Sequence, residues 1–241
     1  MNQSFYTAAV GAQQQMQRMN VQGNNIANVN TYGYKAEKAA FRTLVYGMVN
    51  GAEAEIPQGS GGAMLSTTTD MKEGVLADTG RPQDYAIAGE GFFALYEPAT
   101  GEVTYTRDGS FTISMYQEPD EKGELEQVYY LSDGEGRQVL STQGYPIVVE
   151  DPEAEQPVGT FTFQYQDGLQ HVGSGRFAAA EKNGTLWVAN AKVQRGFLEL
   201  SNTDLAEELT KVIEAQRAYS CALRMVQTSD EVESTVINLK S

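Results

Sequence analysis

Small and apolar residues recur at alternating spacings of four and three near the start of the chain: Phe5, Ala9, Ala12, Met16, Met19, Gly23 and Ile26. This is the seam of an amphipathic helix in heptad register, and it predicts a helix over residues 3 to 29. The same alternation returns at the other end in Leu205, Leu209, Val212, Gln216, Tyr219, Leu223, Val226, Asp230 and Ile237, which predicts a second helix over residues 203 to 239. Ser201, Asn202, Thr203 and Asp204 offer oxygens to cap its first turn, and Glu207 suits the positive end of the helix.

The first seam is built from small and flexible residues, and its flanks are Gln and Asn in place of the Glu/Lys pairs that support isolated helices. Such a helix is expected to be marginal alone and ordered by partners. Two amphipathic helices at opposite ends bury their seams against each other, as an antiparallel coiled-coil-like pair, or against other copies. Gln216 and Asp230 on the second seam are expected to set register at some cost in stability.

Between the helices the pattern changes. From about Gly74 to Gln194, turn signals such as Thr100-Gly101, Asp108-Gly109, Lys122-Gly123, Asp133-Gly134 and Asp167-Gly168 recur every eight to fifteen residues. Alternation is clear at Phe111, Ile113 and Met115, and again at Phe161, Phe163 and Tyr165. Both features predict a central antiparallel all-β domain, so the fold class is α+β and mainly β. Asn183-Gly184 reads as a two-residue hairpin turn. Residues 44 to 74, rich in Gly, Ala and Thr, read as an extended or partly disordered connector. The expected organisation is a helical assembly segment at 1 to 43, the connector at 44 to 74, the β domain at 75 to 194 and a second helical assembly segment at 195 to 241, pairing with the first.

Composition narrows the function. At 241 residues with 41% hydrophobic and 20% charged, the chain can bury a real core. No apolar run reaches the roughly 20 residues of a membrane helix, so no membrane span is expected. The first twenty residues lack the basic region, apolar stretch and cleavage site of a secretory signal. The chain is therefore expected to stay in the cytoplasm or to leave by a route that cleaves nothing. A net charge of −15 opposes nucleic-acid binding, which needs phosphate-neutralising Lys and Arg. Against that balance, residues 1 to 50 carry Arg18, Lys35, Lys38 and Arg42 with Glu37 alone.

Candidate chemistry is sparse. The single cysteine, Cys221, excludes an intrachain disulfide and is expected to be a small buried hydrophobe, and His171 is the only imidazole. Gly89-Glu90-Gly91-Phe92-Phe93-Ala94 fits G-x-G-x-x-A only on paper, because a strand-like FFALYEP follows where a helix is needed. Its glycines read as a bulge or tight turn. The carboxylates of 118 to 126 and 150 to 155 lack the spacing of a calcium loop, and Glu207 and Glu208 belong to a helix start. No catalytic, cofactor or metal site is predicted.

Taken together, three stretches resemble the axial proteins of the bacterial flagellum: rod, hook and hook-associated subunits. GNNIANVNTYGYKAEKAAF resembles that family's signature through Asn24, Asn28, Asn30, Thr31, Gly33, Tyr34 and Lys35. DTGRPQDYAIAGEGFFALYEPATGEVTYTRDGSFTIS is similar to its β domain, although Tyr85 stands where Leu is common and the acidic stretch at 118 to 126 is individual. The C-terminal anchors are Leu198-Glu199, Ser201-Asn202, Gln216-Arg217-Ala218-Tyr219 and Thr228-Ser229-Asp230-Glu231. With one β domain and this length, the chain is most similar to the distal rod member, the proximal rod member next.

The resemblance implies a structural, non-enzymatic subunit in the flagellar basal body of the cell envelope, exported unfolded and uncleaved by the flagellar type III apparatus. Its implied partners are copies of itself and adjacent rod and hook subunits, with no cofactor. The expected self-assembly seam is Phe5, Ala9, Ala12, Met16, Met19, Leu205, Leu209, Val212, Gln216, Tyr219, Leu223 and Val226. Rival readings are a hook or hook-associated subunit, a β-rich surface binding module with a helical oligomerisation hairpin, and a cell-wall hydrolase.

Overall fold

The computed structural model describes residues 3 to 43, 47 to 50, 55 to 58, 62 to 119 and 125 to 239. The chain forms two units. One takes Met1–Ala27, Glu37–Asp70 and Thr203–Ser241; the other takes Asn28–Ala36 and Met71–Asn202. The division therefore differs from the expected one, because a short piece of the first helical segment goes to the β unit and most of the connector goes to the helical unit.

In the helical unit, α1 (Gln3–Ala27) and α2 (Leu205–Leu239) pack against each other. Ser4 lies 3.4 Å from Ser229 at one end and Asn25 lies 3.2 Å from Glu208 at the other, so the pair is antiparallel. Asp204 caps α2, its Oδ1 accepting the Ala206 and Glu207 N–H groups at 2.9 and 3.2 Å. Within the stretch expected as an extended connector, the described residues include three strands. Strands β1 (Glu37–Thr43) and β4 (Gly62–Thr69) form an antiparallel ladder, with β2 (Gly47–Asn50) and β3 (Glu55–Gln58) pairing between them in sequence. The Thr67-Thr68-Thr69 run favours extended backbone, and α1 packs against β1 and β4.

The β unit runs through β5 (Leu76–Asp78), β6 (Tyr85–Ala88), β7 (Phe92–Tyr96), β8 (Val103–Thr106), β9 (Thr112–Pro119), β10 (Leu125–Ser132), β11 (Gln138–Val139), β12 (Thr160–Phe163), β13 (Gln170–Gly173), β14 (Arg176–Ala178), β15 (Leu186–Val188), β16 (Lys192–Arg195) and β17 (Phe197–Glu199). Its main sheet has the order β13-β14-β8-β7-β11-β10-β9, with β12 joined to β7 and β15 to β12. Strand β16 pairs with β6 and β17 with β5.

Strand β7 organises the interior because it is apolar on both faces. Phe93 and Leu95 enter one cluster with Tyr85, Ile87, Phe111 and Leu131; Phe92 and Ala94 enter the other with Tyr105, Phe161, Phe163 and Phe177. Tyr85 keeps its ring in the first cluster against Phe111 while its hydroxyl accepts the Gln156 N–H at 3.1 Å. Gly109 leaves no room for a side chain, since a Cβ there would meet the Tyr85 carbonyl oxygen at 1.6 Å.

Two local expectations fail. Asn183-Gly184 is not a hairpin: β14 pairs with β8 and β13, and β15 pairs with β12. The Asn183 side chain is instead buried, accepting the Ala180 N–H at 2.7 Å and donating to the Tyr165 carbonyl at 2.6 Å, which locks a 3-10 turn over Glu181–Asn183. Cys221 is exposed, because it lies on the side of α2 away from α1. Gly89 and Gly91 have positive φ at the joint between β6 and β7, and the expected Lys122-Gly123 turn lies outside the described residues.

Candidate functional site

The helix pair uses a seam that differs from the expected one at alternate positions. Along α2 the inward residues are Glu208, Val212, Ala215, Tyr219, Ala222, Val226 and Ser229, which keep the four-three alternation. Along α1 they include Phe5, Ala8, Ala12, Gln15, Met19 and Gln22, with Ala9 half-buried beside them. Of the residues named for the self-assembly seam, Phe5, Ala12, Met19, Val212, Tyr219 and Val226 lie on the helix pair, whereas Met16, Leu205, Leu209, Gln216 and Leu223 are exposed. Ala215 and Ala222 are small residues on the inward side, and Leu209 and Leu223, one position after inward Glu208 and Ala222, fall on the neighbouring face.

That neighbouring face is apolar and unpartnered in the single chain. Leu209 is 47% exposed and Leu223 is 39% exposed, and Ile213 and Ile237 on the same side are similarly open. Only Glu208 and Ala215 of α2 are fully buried.

A polar clamp closes the other end of the pair. Asn25 donates to the Glu37 carbonyl at 2.9 Å and accepts the Glu37 N–H at 2.9 Å, fastening the start of β1 to α1. The same amide reaches Glu208, whose second oxygen accepts Lys211 at 2.7 Å. Beside it lies a cavity of about 200 Å³ lined by Arg18, Gln22, Lys38, Glu208 and Lys211. Among the described residues no group of three or more His, Cys, Asp or Glu is placed to hold a metal ion, and no described helix is long and apolar enough to cross a membrane.

All of the motif residues except Asn24 and Arg217 lie in the β unit. Asn28, Asn30 and Thr31 form the turn that follows α1, with the Thr31 hydroxyl donating to the Asn28 side chain at 3.2 Å, and Asn24 is exposed on α1 itself. Gly33 follows at φ +65°, where a Cβ would meet the Asp108 nitrogen at 2.3 Å. Tyr34 is buried, and Asn202 is half-buried, accepting the Ala36 N–H at 2.7 Å and donating to the Lys72 carbonyl at 3.1 Å. Ser201 is half-buried and Arg217 is exposed on α2.

Lys35 is only 2% exposed and donates to Glu199 and to the Lys72 carbonyl, both at 2.6 Å. Glu199, 1% exposed, also accepts Arg107 at 3.1 Å and the Gly74 N–H at 2.7 Å. Arg107 in turn donates to the Gly89 carbonyl at 2.9 Å and lies over the Phe92 ring. Burial holds the Lys35 ammonium below its usual range; Glu199 pulls it back up and Arg107 adds to the depression.

The sequence reading singled out Lys35 but gave no role to Arg107, Glu199, Asn25 or Glu208. Arg107 and Glu199 stood in recognised motifs, and only their meeting in space shows what they do. Asn25 had a signal that went unused, since it falls three residues after the inward Gln22.

Comparison with known proteins agrees with this layout. The family model described as flagella basal body rod protein matches residues 5–35, that of the flagellar hook protein FlgE/F/G D1 domain matches residues 86–151, and that of the flagellar basal body rod FlgEFG protein C-terminal matches residues 194–239. The flagellar basal-body rod protein FlgG of Buchnera aphidicola subsp. Baizongia pistaciae is 31% identical over 95% of this chain and 96% of its own. FlgG of Bacillus subtilis is 30% identical over all of both chains. The rod protein FlgF of Mesorhizobium japonicum is 30% identical over 100% of this chain and 99% of its own. With a matching helix at each end, a matching β domain between them and full-length relatives, this chain belongs to the family of flagellar basal-body rod proteins.

Proposed function

We propose that the chain is a structural, non-enzymatic subunit of the flagellar rod that polymerises with copies of itself and with adjacent rod and hook subunits through the outward apolar face of α2. The observation that carries this is the exposure of Leu209, Ile213 and Leu223 on a helix whose inward face is fully buried only at Glu208 and Ala215. Burial of apolar surface is worth roughly 25 cal/mol per Å², so a neighbouring copy covering this face supplies stabilisation that the helix pair lacks alone.

Folding and assembly are then coupled. The chain travels unfolded through the flagellar type III export apparatus and orders its terminal helices at the growing end. Its net charge of −15 sets it apart from nucleic-acid partners. Among rod members the FlgG relatives favour the distal position. The FlgF relative of equal identity supports the proximal position as the second reading, and the two are separated by which deletion strain the gene restores to motility.

The assembly reading is tested with Leu209→Ser and Leu223→Ser together. The purified variant should keep the circular dichroism of the parent and fail to form filaments or to restore motility. Normal assembly by that variant, or terminal helices that resist protease in dilute parent monomer, would overturn it.

A further inference from the structure

Lys35, Arg107 and Glu199 are far apart in sequence and meet in the interior of the β unit. We propose that this cluster is a closing latch: the segment Asn28–Ala36 docks onto the β unit in a separate last step that requires Glu199, while the two core clusters form without it.

The segment contributes no residue to either hydrophobic cluster. Four of its hydrogen bonds lead to one small region, residues 199 to 202. Gly33 donates its N–H to the Glu199 carbonyl at 2.7 Å, the Asn202 N–H reaches the Tyr34 carbonyl at 3.4 Å, Ala36 donates to the Asn202 side chain, and Lys35 donates to the Glu199 carboxylate. Lys35 also donates to the Lys72 carbonyl. A chain made from its N-terminus therefore holds this segment without its partners until nearly all of the molecule has appeared.

Charge points the same way. Arg107 and Glu199 form a balanced buried pair on their own, so the β unit can close its core around them. Lys35 adds a third buried charge, held only while the Glu199 carboxylate and the Lys72 carbonyl both accept its ammonium. Gly33 completes the fit, because its bare Cα is all that the Arg107–Asp108 backbone admits.

The test is amide hydrogen exchange on the full-length isolated chain, so it does not depend on the rod assignment. Lys35→Met removes the latch and leaves the Arg107–Glu199 pair. It should speed exchange at Gly33, Tyr34 and Ala36 by about 100-fold, with Ile87, Phe93, Leu95 and Leu131 changed by no more than about threefold. Lys35→Gln should give the same selective loss. Equal acceleration in the segment and the core, no change in the segment, or failure of both variants to fold would each show that the cluster is ordinary core and overturn the proposal.

Discussion

The β unit fills its interior with aromatic rings, whereas the helical unit fills its own with alanine, glutamine and one glutamate. Phe92, Phe93, Phe111 and Phe177 are each at most 1% exposed; the fully buried residues of α1 and α2 are Ala12, Gln22, Asn25, Glu208 and Ala215. Several of the polar groups are also incompletely satisfied, since Gln15 Oε1 and Gln22 Oε1 are buried without a hydrogen-bond partner among the described residues. Each such atom costs about 1–3 kcal/mol. One unit is stable through its own packing and the other is left short of it, which is what a chain needs if its ends are to be completed by neighbours.

The contrast is broken most forcefully at Phe93. Phe93→Ala should cost the β unit about 3–5 kcal/mol, read from denaturant midpoints by exchange of β7 and β10 amides. If α1 and α2 lost protection to the same extent, the two units would be one cooperative body. Next comes Ala215→Leu, which places a large side chain where the helices meet. A loss of about 1–3 kcal/mol confined to helix protection is expected, with the β unit melting as before.

Gln22→Leu goes in the other direction. Removing a buried unpaired amide should stabilise the helix pair by about 1 kcal/mol, measured as helicity of the dilute monomer against temperature. A loss of helicity would show that Gln22 is supported in a way its geometry does not reveal.

The smallest effect concerns pH and belongs to the β unit. Burial raises the Asp108 carboxyl above its ordinary 3.8, although the Ser110 N–H bond at 2.9 Å opposes the shift. Between 3.8 and the raised value the folded state keeps the proton and the unfolded state has lost it, so this group's contribution to stability falls as pH rises through that window. Asp108→Asn should remove that fall. Superimposable stability-against-pH curves for parent and variant would count against the assignment.

Much of the architecture was legible because its signals are local. Heptad spacing located both helices to within about two residues at each end, and Asp204 lay among the oxygens expected to cap α2. Turn spacing and alternation marked the β domain, and FFALYEP read as strand-like where a dinucleotide motif would need a helix. The connector was misread because its β-branched Thr run lacks the apolar alternation that marks a strand, and β1 and β4 are defined by each other. Asn183-Gly184 misled because the dipeptide fits a hairpin turn and a 3-10 turn equally well, and the buried side-chain bonds of Asn183 decide between them.

By itself the sequence determined that a helix stands at each end, that the middle is antiparallel β structure and that the motifs of a flagellar axial protein are present in order, since periodicity and turn chemistry depend on neighbouring residues. Tertiary structure alone decided which heptad position faces inward, because the series through Leu209 and Leu223 and the series through Ala215 and Ala222 both satisfy the spacing and only the packed pair shows that the second is turned inward. It likewise decided the fate of Lys35, Arg107 and Glu199. Three charged residues in separate motifs read as surface until the fold brings them within 3.1 Å of one another's partners and closes the interior around them.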